Sequence, residues 1–148
     1  PHLLAHSVKE YNIEGEVLRR IRTDLEELGG RAAKNWPFTA IELGNGNLLV
    51  GCTLGNKVVE FSPDDGKVVW KVGNNKVGGL IKDACGVQRL ENGNTVIASY
   101  RAGRNGPKMI EVDAAGKVVW EFKSEKIRAV HHFHVLTTNG KKEPGALK

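Results

Sequence analysis

The dipeptide Asn-Gly occurs at Asn45-Gly46, Asn92-Gly93 and Asn139-Gly140, 47 residues apart on both occasions. A fixed period of about 20 to 50 residues marks a repeat architecture, in which each repeat is one supersecondary unit that cannot bury its own apolar faces. The flanking text repeats with the dipeptide. AIELGNGNLLVGC at 40–52 lies over VQRLENGNTVIAS at 87–99, and HVLTTNGKK at 134–142 opens the same phrase a third time. Between them a second phrase recurs, VVEFSPDDGKVVWKV at 58–72 and MIEVDAAGKVVWEF at 109–122, with a degenerate earlier copy VKEYNIEGEVLRRI at 8–21.

Each phrase is an alternating run, a cluster of Asp, Asn, Pro or Gly, and another alternating run, which is the signal for a β-hairpin. Asn and Gly tolerate the positive φ of a tight two-residue turn, so each Asn-Gly is expected at a hairpin tip. One unit then reads as four strands: A at 86–91, B at 94–100, C at 108–113 and D at 117–122. Four antiparallel strands per 47 residues describe an all-β chain of β-propeller blades, apolar on both faces and stabilised by stacking about a common axis. Trp70 and Trp120 stand at the same point of strand D in consecutive units, as a repeated packing contact would place them. Only 23–34 has helix-like content, and Gly29-Gly30 would end it; 22–36 is therefore an insertion with a short helical turn at the rim.

The boundaries that follow are a partial blade over 1–21, with strands B to D at 3–21, the insertion, a blade over 37–72, a blade over 84–122, and the inner strand A of a further blade over 128–137. Three blades' worth of strands cannot close a ring that usually has four to eight, and open edges need covering. The expected partner is the remainder of a longer propeller or a second copy of this chain. The chain begins at Pro1 rather than Met, which reads as a processed or excised piece.

Composition narrows the function classes. With 40% hydrophobic and 26% charged residues in 148, the chain has the balance of a globular domain. No apolar run of about 18 residues exists to form a membrane-spanning helix. The net charge of +5 would suit a polyanion if the basic residues clustered, but only Arg19, Arg20 and Arg22, and the tail Lys141, Lys142 and Lys148, form small groups. No nucleic-acid motif or aromatic stacking set accompanies them, so specific nucleic-acid binding is not expected. Cys52 and Cys85 match no metal spacing and read as buried thiols.

The phrases GVQRLENGNTVIASY, KVVEFSPDDGKVVWKV and MIEVDAAGKVVWEF resemble the bacterial propeller repeats of pyrroloquinoline-quinone-like and arylsulfotransferase-like proteins. The Gly-Lys-x-x-Trp of that group is matched by Gly66, Lys67 and Trp70 and by Gly116, Lys117 and Trp120, residues that are structural there. The resemblance implies a periplasmic or extracellular setting. The quinone and calcium ligands of the family have no counterpart in this chain. Arylsulfotransferase-like and streptogramin-lyase-like propellers imply His-based chemistry, without fixing which His of this chain would serve.

The one concentration of reactive side chains is Arg128, His131, His132 and His134 on the last strand A, expected innermost beside the axial channel. On an alternating strand His132 and His134 share a face, a geometry suited to a metal or an acid-base pair. By the 47-residue register His132 corresponds to Cys85 and Phe38, and His134 to Val87 and Ala40, mostly apolar positions that favour burial between blades. Arg101, Arg104 and Asn105 occupy a B-to-C loop longer than its counterpart at Gly55-Asn56, and such loops recognise anions or partners. Asp64, Asp65 and Asp113 are explained as turn residues. The ligand-binding candidates are thus Arg128, His131, His132, His134, Cys85, Arg101 and Arg104. The preferred reading is a non-enzymatic scaffold binding a protein or small molecule at the channel mouth. No cofactor is indicated. The alternatives are a lyase or arylsulfotransferase-like enzyme using the histidines, with or without a divalent metal, and a fragment of a quinone-dependent dehydrogenase.

Overall fold

The structure, a computed structural model, describes residues 1–143. Two four-stranded antiparallel sheets dominate it, each a simple meander: β3 (Pro37–Glu42), β4 (Leu48–Cys52), β5 (Lys57–Phe61) and β6 (Val68–Gly73), then β7 (Ala84–Arg89), β8 (Thr95–Ser99), β9 (Met109–Val112) and β10 (Val118–Phe122). These follow the expected A-to-D order. A hairpin of β1 (Ser7–Tyr11) and β2 (Val17–Arg22) precedes them, and a minimal hairpin of β11 (Thr137–Thr138) and β12 (Lys141–Lys142) follows.

Alternation along the strands explains the stacking. Neighbours on one strand face opposite sides. Leu49 and Val58 therefore enter one core with Ile97, Ile110 and Val112 of the next sheet, while Val50 and Val59 enter another with Val8 and Ile21 of the opening hairpin. Each such side chain contributes about 1.5–3 kcal/mol as an upper estimate. The middle sheet is thus apolar on both faces and covered on both.

The opening hairpin repeats strands C and D. His6 (φ 47°) precedes β1 as Asn56 (φ 49°) precedes β5. The carbonyl of His6 accepts from the Thr23 N–H at 2.9 Å, as that of Asn56 accepts from Asn74 at 3.1 Å. Strand B, expected within 3–21, is reduced to a single bridge between His2 and Ser7, because Leu3–His6 closes a turn through the His6 N–H and Leu3 carbonyl. The insertion contains two single-turn 3-10 helices, Glu26–Leu28 and Arg31–Ala33.

Two of the Asn-Gly turns are not two-residue turns. Leu43 N–H donates to Asn47 O at 2.8 Å and Gly46 N–H to Leu43 O at 2.8 Å, and Leu90, Asn94 and Gly93 repeat this arrangement. The loop is then three residues long, and only its glycine, Gly46 (φ 83°) or Gly93 (φ 86°), takes the left-handed conformation. Asn45 and Asn92 act instead through their side chains, accepting from the N–H of Asn47 and Asn94. At Asn139 (φ 50°) and Gly140 (φ 79°) both residues are left-handed, and the two-residue turn is as expected.

The inner strand expected over 128–137 is also corrected: of these residues only Thr137 lies in a strand, β11. Among the described residues the backbone ladder beside this run stops at Leu136, whose carbonyl accepts from the Glu143 N–H at 2.9 Å. At Val135 a side chain substitutes for it. Gln88 Oε1 accepts from the Val135 N–H at 2.8 Å, and Gln88 Nε2 donates to the Val135 carbonyl at 3.1 Å. The backbone of His131 and His132 lies so close to Gly86 that a Cβ there would sit 2.9 Å from the His131 carbonyl oxygen.

Candidate functional site

In a meander, the B-to-C loops and D-to-A connections emerge at one end of the sheets. At that end of the last sheet, the loop after β8 brings Tyr100, Arg101 and Arg104 to one wall of a 710 Å³ cleft; the segment after β10 brings Glu125, Lys126 and Arg128 to the other. Three of the sequence candidates, Arg101, Arg104 and Arg128, therefore share one cleft although they span 28 positions of sequence.

The loop wall is held from below. Arg101 Nε donates to the buried Asp83 carboxylate at 2.8 Å. Asp83 is itself fixed: it is left-handed (φ 55°), its N–H donates to Asn56 Oδ1 at 2.7 Å, and its carbonyl accepts from the Tyr100 N–H at 3.2 Å. Lys108, at the start of β9's approach, has no exposed surface and donates from Nζ to the carbonyls of Gly103, Arg104 and Gly106. A buried ammonium needs such partners, and supplying them ties the loop into one shape.

Aromatic rings adjoin the cleft. His131 stacks on Tyr100 at 4.1 Å between centroids with 13° between planes, and on Phe38 at 5.6 Å; His132 stacks on Phe38 at 5.5 Å. Phe38 belongs to β3 and the histidines follow β10, so the inner strand of the first whole blade and the segment beyond the second meet beside β7. His131 and His132 are exposed rather than buried between sheets, with no further sheet covering them among the described residues. His134 is exposed too and lines a separate groove with Phe133, Gln88 and Arg89, apart from Arg101, Arg104 and Arg128. Among the described residues no three His, Cys, Asp or Glu side chains converge as metal ligands.

Cys85 does not join the cleft. It is a free, buried thiol whose pKa is pushed up to about 11, first by burial, with a Thr53 hydrogen bond partly opposing. Cys52, also free and buried, is pushed up to about 12 by burial. Both are neutral thiols at physiological pH, not nucleophiles. Tyr100, Lys126, Asp83 and Lys108 were not among the sequence candidates. The repeat does align Lys108 with Lys57 at the start of KMIEV and KVVEF, but Lys57 donates to the Leu28 carbonyl instead, so spacing does not show the role.

No family model and no curated protein matches the sequence. Among solved structures the chain is similar to a protein of unknown function from Bacteroides caccae, with a TM-score of 0.71 and 24% identity over 86% of this chain and 46% of that one. It is also similar to streptogramin B lyase, a β-propeller, with a TM-score of 0.56 and 13% identity over 81% of this chain and 34% of that one. The fold is that of a β-propeller. The chain spans just under half the length of the first neighbour and about a third of the second. In propeller terms β3–β6 and β7–β10 are whole blades, and the cleft sits on the B-to-C face of the second, beside the inner strands.

Proposed function

We propose that this propeller segment is a binding scaffold whose ligand site is the cleft between the 100–106 loop and 125–129. The observation that carries this reading is the convergence of two irregular segments, one of them locked by Lys108 and Asp83, on a concave surface beside the inner strands. Ligand sites form where a rigid scaffold presents fixed loops. A small-molecule panel followed by amide chemical shifts tests it: hits should shift Tyr100 and the 101–106 loop and lose their effect in Tyr100→Ala. Hits that shift only the opposite face would overturn it.

The rest of the ring is read from the same interface logic. The second whole blade leaves Trp120 44% exposed at the position where Trp70 meets the next blade. That face is where the next blade docks, from a longer chain or a second copy.

A lyase-like activity is the second reading, favoured by the likeness to streptogramin B lyase and by the exposed His131 and His132 at the channel mouth. Turnover in a lactone panel that is lost on replacing His131 and His132 with Ala supports it, and turnover unchanged by that replacement removes it.

A further inference from the structure

The cleft's side chains carry a charge pattern that selects among ligands. Arg101, Arg104, Lys126 and Arg128 line it against one carboxylate, Glu125. Among the described residues Arg104, Lys126 and Arg128 have no ion-pair partner. Like charges held around one concavity repel one another, and an anion between them relieves that repulsion.

Arg101 adds direction to the charge. Its guanidinium is engaged through Nε by Asp83, so the carboxylate fixes the plane of the group while its two terminal amino groups stay available. A guanidinium held in this way offers parallel N–H donors that match the two oxygens of a carboxylate or phosphate. The root of the residue is fixed as well, since the Arg101 N–H donates to the Lys82 carbonyl at 2.9 Å. On the neighbouring residues the Lys108 ammonium holds the carbonyls of Gly103, Arg104 and Gly106, which sets where Arg104 leaves the loop. The corresponding loop of the first whole blade, Thr53–Asn56, is short and contains no arginine or lysine. This device therefore belongs to one blade, not to the repeat.

Resting on the cleft as the ligand site, we propose that it takes a small polyanion, a molecule with at least two carboxylate or phosphate groups. One group is received by the Arg101 fork and a second by Arg104, Lys126 or Arg128. Asp83 is a positioning residue in this scheme, acting through Arg101.

Calorimetric titration of the whole chain at fixed ionic strength tests it, with citrate and pyrophosphate as the polyanions and acetate and inorganic phosphate as their smaller counterparts. At least one polyanion is expected to bind about tenfold or more tightly than its smaller counterpart, and the preferred pair tells carboxylate from phosphate. Arg101→Lys keeps the charge but loses the fork, and should weaken that polyanion by about tenfold, the worth of one charge-assisted hydrogen bond. Arg104→Gln should weaken it while leaving the melting temperature within a few degrees, so that lost binding is not lost folding. Polyanions no tighter than their counterparts, or a polyanion indifferent to both substitutions, would overturn the proposal. In the same titrations followed by amide shifts, neutral sugars or amides moving Tyr100 and Arg101–Arg104 while no polyanion does would sink the ligand class and leave the site standing. No probe moving them would sink both.

Discussion

At Glu60 two blades are joined through one carboxylate. Oε1 accepts from Asn47 within the blade at 2.7 Å, and Oε2 accepts from Arg89 of the next blade at 2.8 Å. Arg89 in turn lies 4.9 Å over the Trp70 ring, whose Nε1 donates to the Ala114 carbonyl across the same interface at 2.8 Å. The repeat places Glu111 and Asn94 in the same relation, at 2.7 Å, but among the described residues no arginine completes the set there. Glu60→Ala strips acceptors from two donors that are partly buried and should cost about 1–3 kcal/mol in urea unfolding. Glu111→Ala, which strands only one, should cost less. Equal losses would mean that the Arg89 contact adds nothing.

Cys52 allows a second test at this scale. Burial raises its folded pKa to about 12, above the value of an exposed thiol, so the native state keeps its proton where the unfolded chain loses it. Stability is therefore unaffected below about pH 8.5 and falls as pH rises beyond it, by up to about 1.4 kcal/mol per unit. Unfolding of the wild type and Cys52→Val at pH 7 and pH 10.5 reads this directly, and the alkaline loss should be smaller in the variant.

At the scale of strands and loops, two glycines mark where elements approach most closely. A Cβ at Gly51 on β4 would stand 2.7 Å from the Cys85 carbonyl on β7, so Gly51→Ala must push two blades apart. A Cβ at Gly86 would first meet the 131–133 segment, 2.9 Å from the His131 carbonyl oxygen. Gly51→Ala is expected to cost about 1–3 kcal/mol. Gly86→Ala should cost less but open 123–137 to limited proteolysis, and a larger loss for Gly86 than for Gly51 would contradict this ranking. The strands themselves were legible, because the 47-residue period and the alternation of residues such as Leu49 and Val50 encode both the units and their two buried faces. What alternation does not encode is pairing across to another strand. The 128–137 run carries the strand A phrase, but among the described residues it meets a ladder partner only at Leu136 and Thr137, and the Asn-Gly turns differ by whether one residue or two adopt positive φ. The cleft was half legible: Arg101, Arg104 and Arg128 stand out by type, but nothing in the spacing reveals that Lys108 is buried beneath the loop or that Asp83 aims Arg101.

For the molecule as a whole, the blades are one interface used repeatedly, and the function proposed for the cleft depends on it, because Asp83 and Tyr100 are held where the first whole blade meets the second. The most direct measurement is a methyl NOE spectrum of the intact chain. Cross peaks are expected from Leu49 and Val58 of one blade to Ile97 and Ile110 of the next, together with one from the Trp70 indole N–H to Ala114. Cross peaks confined within each four-stranded sheet, with none between the two, would contradict the stacked-blade account.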